Sequence, residues 1–275
     1  MIYAMSDIHG CIRDLKRSME KIDLRRGNRV IFLGDYIDYG EASCQVLQYI
    51  RELQKQLGSE KVIVLKGNHE QMFLEWINDF RDPYVDGSGD CRIFNDWLRT
   101  DFEYGANTIR TFISEKQLSF LEQISKTCFM ETISLEVVQM VLSNHGEMID
   151  WIQNMPSYYE TDSQIFVHAG VDEEEGEYWM WGASDDFFLW KFPASKGKFY
   201  KTVIAGHIAT GAPTLADDNE YHDIFYDGEN HYYIDGSVYK KYGKLLLLAY
   251  DEDLDKYYQV EKNKMRLVKK YETLQ

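Results

Sequence analysis

Cysteine is scarce in this sequence, which has four in a chain of 275 residues: Cys11, Cys44, Cys91 and Cys128. They are widely spaced and form no Cys-x-x-Cys pair, which argues against a disulfide framework and against a zinc knuckle. Reduced thiols in the cytosol fit this pattern better. We therefore expect a cytoplasmic protein.

Long hydrophobic segments are also missing. Only Met1–Met5 precedes the polar pair Ser6 and Asp7, and this stretch is too short for a signal peptide. The late apolar run Leu245–Tyr250 is far shorter than the roughly 20 residues that a transmembrane helix needs. We expect a soluble protein with no membrane partner.

Positive charge is in short supply. Lys and Arg total 30 against 46 Asp and Glu, which gives a formal charge of −16. Such a surface repels nucleic acid phosphates, so we expect no nucleic acid partner. The apolar content of 44% is enough for a sizeable core in one large domain or two small ones.

Apolar periodicity alternates between strand and helix over the first 80 residues and returns to strand after residue 160. The runs predicted to be strands are Met1–Met5, Val30–Leu33, Val62–Leu65, Ile165–Val167, Val203–Ala205, Tyr232–Asp235 and Leu245–Tyr250. We expect the last two to form a closing pair, connected through Gly236 and Gly243. The order of strands and helices predicts an α/β fold with helices on the sheet faces.

The pattern becomes helical between about residues 82 and 156, with little strand signal. We interpret this stretch as a helical insertion beside the sheet. Its role is either to cover the sheet edge or to shape substrate access. Because no internal repeat or linker stands out, we expect residues 1–275 to form a single domain.

Five short segments each follow an apolar run with residues that bind metals or transfer protons. They are Asp7-Ile8-His9, Gly34-Asp35-Tyr36-Ile37-Asp38, Gly67-Asn68-His69-Glu70, His168-Ala169-Gly170 and Gly206-His207. Ligands of open α/β sheets bind beyond the carboxyl ends of the strands, so these segments predict one shared site for two metal ions. His145, His222 and His231 lack this setting, and we expect them to be ordinary surface or loop histidines.

The segments resemble motifs of the calcineurin-like metallophosphoesterases, in particular the branch of serine/threonine phosphoprotein phosphatases and diadenosine tetraphosphate hydrolases. Gly34–Gly40 is similar to the GDxxDRG box of that branch, Lys66–Glu70 to its RGNHE and Val167–Gly170 to its VHAG or HGG. Gly206-His207 has only the first histidine of the broader GHxH motif, as this branch does. Ile234-Asp235-Gly236 resembles the closing strand.

The resemblance spans residues 1 to about 250, apart from the middle of the insertion, and implies a β-sandwich flanked by helices. It also implies two divalent metal ions, with Mn²⁺ expected first and Fe or Zn as alternatives. The implied ligands are Asp7, His9, Asp35, Asn68, His168 and His207, with Asp35 bridging both ions. A metal-bridging hydroxide would attack phosphorus. His69, oriented by Asp38, would protonate the leaving oxygen as general acid.

The chain departs from this branch where phosphate is gripped. Tyr39 stands in place of the arginine of the box, and its hydroxyl supplies one neutral donor instead of a bidentate guanidinium. The branch also places an arginine between its last two histidine motifs, but residues 171–206 contain none. We expect substrate contacts from Tyr39, Lys191 and, in the insertion, Arg110.

The expected function is hydrolysis of phosphomonoesters, first of all a phosphorylated serine or threonine of a protein. Hydrolysis of symmetrical dinucleoside polyphosphates is the alternative activity, and a metal-binding regulator with little turnover is the alternative from another class. The acidic run Asp172–Glu177 bears on this choice. It is either a solvated loop or a screen that disfavours polyanions and accepts basic peptides.

Overall fold

The computed structural model describes residues 1–25, 27–81, 108–182, 185–262 and 264–272. The first part contains β1 (Ile2–Met5), α1 (Ile12–Met19), β2 (Arg29–Phe32), α2 (Ser43–Leu57), β3 (Val62–Val64) and α3 (Asn68–Asp79). The middle contains α4 (Thr108–Phe112), α5 (Glu115–Ile124) and α6 (Met130–Gln153). The last part contains β4 (Tyr158–Glu160), β5 (Gln164–Val167), a 3-10 helix (Glu173–Tyr178), α7 (Trp179–Gly182), α8 (Asp185–Trp190), β6 (Thr202–Ala209), β7 (Phe225–Tyr226), β8 (His231–Asp235), β9 (Leu248–Asp251), β10 (Lys256–Val260) and β11 (Met265–Leu267).

These strands form two mixed sheets. The first has six strands in the order β11-β10-β9-β1-β2-β3, and the second has five in the order β4-β5-β6-β8-β7. The centre of each sheet is parallel: β1 with β2 and β3, and β5 with β6 and β8. Antiparallel strands complete the edges. Both sheets therefore gather the carboxyl ends of their central strands along one edge.

Side chains alternate between two cores along the central strands, as the two-residue period of a strand requires. Ile2 and Ala4 of β1 pack in a core that also contains Phe166 of the second sheet, so this core lies between the sheets. Tyr3 and Met5 pack on the opposite side, among apolar residues of the helices α1 to α6. The first sheet is thus covered on both faces.

The outer face of the second sheet is covered by short helices. Trp179 and Phe188, from α7 and α8, pack against Val203 and Tyr233 of the sheet. The layers are therefore helices, sheet, sheet and short helices. This confirms the expected α/β class with a β-sandwich flanked by helices.

The prediction that Tyr232–Asp235 and Leu245–Tyr250 form a closing pair is wrong. The first run lies in β8, which pairs with β6 in the second sheet. The second run leads into β9, which pairs with β1 in the first sheet. Both strands are almost entirely buried. A strand buried on both faces has no polar alternation from which its partner can be inferred.

The predicted helical character between residues 82 and 156 is found in α4, α5 and α6, while residues 82–107 lie outside the described residues. Ile109 and Phe112 of α4 are buried in the helical core of the first sheet, and the ring of Phe112 lies 5.1 Å from that of Phe73. The single domain and the insertion stay predictions. None of the described helices is both long and apolar enough to cross a membrane.

A buried ion network ties β8 to the 3-10 helix, and it corrects the expectation that His231 is a surface or loop residue. His231 is fully buried, with Nδ1 2.9 Å from Asp227 Oδ2 and Nε2 3.2 Å from Glu173 Oε1. Burial opposes the charged imidazolium, but the two carboxylates outweigh it and raise the pKa of His231 to about 9. Sequence reasoning could not find the partner Glu173, since it lies 58 positions away from His231 in the chain.

We predict that His231→Gln destabilises the fold more at pH 7 than at pH 10. The folded pKa, about 9, lies above the ordinary value of 6.5, so the stabilising charge is fully present below about pH 6.5 and is lost as the pH rises through about 9. The loss at pH 7 should be on the order of 2 kcal/mol. Urea unfolding at both pH values measures it, with the half-buried His222→Gln as control. An equal loss at both pH values would contradict the charge-based explanation.

Candidate metal centre

Predicted ligands come together where central strands of both sheets end. Asp7 follows β1, Asp35 follows β2, Asn68 begins α3 just after β3, and His168 follows β5. His207 instead lies inside β6, at a point where the pairing of that strand with β8 shifts register. The motifs follow apolar runs because those runs are central strands, whose ends lie together at one edge of the sandwich.

The backbone around this edge is unusual. Six non-glycine residues have positive φ: Asp7 (55°), His9 (44°), Asp35 (57°), Asp38 (70°), Tyr39 (59°) and His207 (62°). Each such conformation costs on the order of 1–3 kcal/mol and persists only where the surroundings impose it. Gly34 and Gly67 permit the close approach of two of the loops, since a Cβ on Gly34 would lie 2.5 Å from Gly67 Cα. The positions of these side chains are therefore set by an imposed backbone.

Glu70 provides much of that constraint. Its buried carboxylate accepts hydrogen bonds from the backbone N–H groups of Asp35 (2.9 Å), Tyr36 (2.7 Å), Ile37 (3.2 Å) and Gly67 (3.0 Å). It therefore joins the loop after β2 to the start of α3. The sequence prediction gave Glu70 no role, although a glutamate at the third position of a helix is a known capping signal.

The nitrogen of His9 that faces the carboxylates has a lone pair. Nδ1 lies 2.8 Å from the carbonyl oxygen of Ile37, which can only accept, so Nδ1 carries the proton of the neutral ring. Nε2 lies 3.9 Å from Asp7 Oδ1 and 3.7 Å from Asp35 Oδ2. Burial lowers the pKa of His9 well below its usual value, which keeps the ring neutral. These atoms suit the predicted first metal ion.

His168 is oriented in the same way on the other side of Asp35. Its Nδ1 donates to the carbonyl oxygen of Leu33 at 3.0 Å, and its Nε2 lies 2.8 Å from Asn68 Oδ1 and 3.4 Å from Asp35 Oδ1. His207 Nδ1 lies 3.2 Å from the same amide oxygen, and burial lowers the pKa of His207 to about 4. Turning the amide would let its NH₂ donate instead. In the orientation described first, Oδ1 of Asn68 faces ring nitrogens of His168 and His207. Because acceptor atoms repel one another, a cation bound between them would stabilise this arrangement.

Two groups of donor atoms fit metal ions, and Asp35 belongs to both. Atoms of His9, Asp35 and His69 lie within 4.8 Å of one another, as do atoms of Asp35, His168 and His207. Asp35 is thus common to both groups, and its bridging of two ions stays a prediction. The first group contains His69, which we expected to be the general acid, in the place where we expected Asp7.

The electrostatics of the centre also call for positive charge. Burial, followed by the nearby charges of Asp235 and Asp35, raises the pKa of Asp7 well above its usual value. Burial and the charge of Glu70 raise the pKa of Asp35 to about 8, although His69 acts in the opposite direction. Asp235 is an acidic neighbour that sequence reasoning placed only in a closing strand. Carboxylates packed together in this way are stabilised by bound cations.

His69 and Asp38 form the predicted pair. His69 Nδ1 lies 2.6 Å from Asp38 Oδ2, and His69 Nε2 lies 3.7 Å from Asp35 Oδ2. Burial acts against protonation, but the carboxylates of Asp35 and Asp38 outweigh it and raise the pKa of His69 to about 10. The two carboxylates thus favour the protonated imidazole, which is the form that a general acid needs.

Of the three predicted substrate contacts, Tyr39 lies at the centre. Its ring stacks on Tyr239 at 3.9 Å and lies 4.6 Å from the ring of His9. Tyr239 was missed because nothing in the sequence connects it to the box at residues 34–40. These two rings form an aromatic wall beside His9.

The other two predicted contacts have partners or positions within the fold. Lys191 Nζ donates to the carbonyl oxygen of Val171 and lies 3.3 Å from Glu173 Oε1. Arg110 is half-buried in α4, and its Nε has no hydrogen-bond partner among the described residues. The substrate roles of Lys191 and Arg110 stay predictions.

The family model for calcineurin-like phosphoesterases matches residues 1–211. The chain belongs to this family. Membership implies a hydrolase that acts on phosphoesters, and the donor groups around Asp35 agree with the divalent metals that calcineurin-like phosphoesterases use.

Curated relatives of this calcineurin-like phosphoesterase have two kinds of name. A symmetrical bis(5'-nucleosyl)-tetraphosphatase of Janthinobacterium is 25% identical over 170 residues, covering 62% of this chain and 43% of that protein. The catalytic subunit of serine/threonine-protein phosphatase 4 from Eremothecium gossypii is 30% identical over 96 residues, covering 32% and 28%. Each match therefore spans less than half of the relative's own length.

A solved structure supports the fold over nearly the whole chain. The cold-active protein-tyrosine phosphatase of a psychrophilic Shewanella species superposes with a TM-score of 0.55 at 16% identity. The superposition covers 98% of this chain and 80% of that one. At this identity the likeness concerns the fold alone.

We predict that Glu70→Gln destabilises the protein by on the order of 2–4 kcal/mol, because an amide NH₂ would face backbone donors in a dry site. Mn²⁺ affinity should fall with it, since Asp35 loses its backbone support. Thermal unfolding and Mn²⁺ calorimetry measure the two effects, with the exposed Glu75→Gln on the same helix as control. Unchanged stability in Glu70→Gln would show that the loops are fixed by other contacts.

Proposed function

We propose that this calcineurin-like phosphoesterase hydrolyses phosphomonoesters, with phosphorylated serine or threonine side chains of proteins as its first substrates. The observation that carries the proposal is the position of the His69–Asp38 pair beside Asp35, the residue common to both groups of metal-binding atoms. A proton donor and a centre for a phosphoryl group thus lie side by side.

The proposed ligands are Asp7, His9 and Asp35 for the first ion and Asp35, Asn68, His168 and His207 for the second. Two divalent ions, first of all Mn²⁺, would activate water and neutralise charge on the transferred phosphoryl group. Backbone carbonyls fix the protons of His9 and His168 on the nitrogens away from the centre, which leaves the other nitrogens ready to bind.

His69 supplies the proton that the leaving group needs. Its Nδ1 is held by Asp38, so its Nε2 is directed toward Asp35 and the centre. As an oxygen from water bonds to phosphorus and the bond from phosphorus to the ester oxygen breaks, Nε2–H would transfer its proton to the ester oxygen, and the products would be an alcohol and phosphate. Asp38 stabilises the imidazolium before the transfer and restores its orientation afterwards.

Surface charge supports a phosphoprotein over a polyanion. The 3-10 helix after β5 exposes Glu174, Glu175 and Glu177, and the formal charge of the chain is −16. A dinucleoside tetraphosphate carries several negative charges and is repelled by such a surface, whereas a basic peptide is attracted. Hydrolysis of dinucleoside polyphosphates remains the second candidate, because the Janthinobacterium relative is named a symmetrical bis(5'-nucleosyl)-tetraphosphatase.

We predict that Asp35→Asn loses Mn²⁺ affinity and turnover together, with turnover reduced at least about 100-fold, because both ions share this carboxylate. Phosphate release with Mn²⁺ is measured from 4-nitrophenyl phosphate, a phosphoserine peptide and diadenosine tetraphosphate, with the exposed Asp79→Asn as control. Turnover of the tetraphosphate alone would favour the second candidate. Metal binding without turnover of any ester would favour a regulatory protein.

We predict that His69→Asn keeps its metal and loses rate. The loss should be about 100-fold for the phosphoserine peptide and about tenfold or less for 4-nitrophenyl phosphate, since a good leaving group needs little proton assistance. Mn²⁺ calorimetry on the variant provides the decisive comparison, because His69 lies among the atoms of the first metal-binding group. A variant that no longer binds Mn²⁺ would make His69 a ligand instead of an acid.

A further inference from the structure

A hydroxyl from α4 completes the hydrogen bonds of Asp38. One carboxylate oxygen, Oδ2, faces His69 Nδ1 at 2.6 Å. The other, Oδ1, accepts a hydrogen bond from Thr108 Oγ1 at 2.5 Å, and the same hydroxyl accepts one from the backbone N–H of Asp38 at 3.0 Å. Thr108 is 0% exposed. Its buried hydroxyl therefore contacts both the backbone and the side chain of Asp38.

The protons in this cluster can be assigned one by one. A threonine hydroxyl has a single proton, and that of Thr108 goes to Asp38 Oδ1, which can only accept. In the contact of 3.3 Å between Ser43 Oγ and Thr108 Oγ1, Ser43 must then be the donor. Ser43 Oγ also accepts from the N–H of Asp38 at 3.1 Å. The chain of hydrogen bonds thus runs from Ser43 through Thr108 to Asp38, which His69 contacts from the other side.

These contacts also hold the backbone of Asp38, whose φ of 70° is unfavourable for a residue with a Cβ. The hydroxyl oxygens of Ser43 and Thr108 both accept hydrogen bonds from the backbone N–H of Asp38. The hydroxyl of Thr108 also donates a hydrogen bond to the carboxylate of Asp38. Backbone and carboxylate are therefore fixed by the same residue. This fixes the plane in which Oδ2 faces His69.

We propose that Thr108 is a positioning residue for proton transfer by His69, acting through Asp38 without touching the substrate. This inference rests on the proposed function. Without the hydroxyl, Asp38 Oδ1 loses its donor and the carboxylate can rotate away from His69 Nδ1. The helical segment after residue 107 then does more than cover the sheet edge, because it sets the efficiency of the acid.

A purely structural role makes a different prediction. If Thr108 only anchored α4 to the loop before α2, its loss would lower stability and reduce the hydrolysis of all esters alike. Thr111 offers a matched control on the same helix. Its hydroxyl accepts from the N–H of Cys44 at 3.0 Å and donates to the carbonyl oxygen of Thr108 at 2.7 Å. It thus anchors α4 to the first turn of α2, and it does not contact Asp38 in the described hydrogen bonds.

The test compares Thr108→Val, Thr108→Ser and Thr111→Val in the full chain with Mn²⁺. In Thr108→Val we expect kcat/KM to fall about 10–100-fold for a phosphoserine peptide and no more than about threefold for 4-nitrophenyl phosphate. Thr108→Ser restores the hydroxyl and should stay within about threefold of the native protein on both esters. Thr111→Val should leave the ratio of the two kcat/KM values unchanged.

A second readout needs neither metal nor turnover. In metal-free protein, the nitrogen and proton NMR signals of His69 Nδ1 report its short hydrogen bond to Asp38. They should change in Thr108→Val and be preserved in Thr108→Ser and Thr111→Val. Unchanged His69 signals in Thr108→Val, or equal losses on both esters, would overturn the proposal. If the native protein hydrolyses neither ester, the proposed function fails, and the NMR comparison alone decides whether Thr108 orients the pair.

Discussion

The hydrogen bonds of the Glu70 carboxylate are the constraint on which the rest of the centre depends. The N–H groups of residues 35–37 all point at this carboxylate, together with that of Gly67. A run of backbone donors can converge on one group only if the chain turns sharply, and the turn gives Asp35 and Asp38 their positive φ values. Glu70, which has no predicted part in the chemistry, therefore stabilises the loop conformation that presents the side chains of Asp35 and Asp38.

The loops of the centre contain several features that destabilise the fold, and packing elsewhere must offset their free-energy cost. Burial of Asp7, together with the nearby charges of Asp235 and Asp35, raises the pKa of Asp7. Positive φ values add backbone strain at the same positions. Burial of apolar side chains in the three cores around the two sheets provides the stability that tolerates such a site. A bound cation would relieve the charge repulsion and would thereby stabilise the folded state.

The sequence predicted the site residues that lie at strand ends, but it did not predict the residues that reach the site from other segments. Asp7, Asp35 and Asn68 could be placed together because parallel strands align their carboxyl ends. Thr108 and Tyr239 could not, because each comes from a distant segment and has no motif of its own. The partner of β9 was mispredicted for a related reason. An almost entirely buried strand has no polar alternation that would indicate which strand lies beside it. Local patterns thus define the elements and the chemistry, while the second layer of contacts depends on tertiary packing.

The loss of the family arginine at Tyr39 changes where positive charge comes from. A guanidinium would hold phosphoryl oxygens with two charge-assisted hydrogen bonds, whereas a tyrosine contributes a neutral hydroxyl and a ring that here stacks on Tyr239. The ammonium of Lys191 contacts the carbonyl oxygen of Val171 and the carboxylate of Glu173, and its substrate role stays a prediction. Under the proposed function, divalent ions and His69 would supply positive charge toward a bound phosphate. Aromatic rings add contact area instead of charge, so Tyr39 and Tyr239 would contribute more to contacts with the rest of a substrate than to the binding of its phosphoryl group.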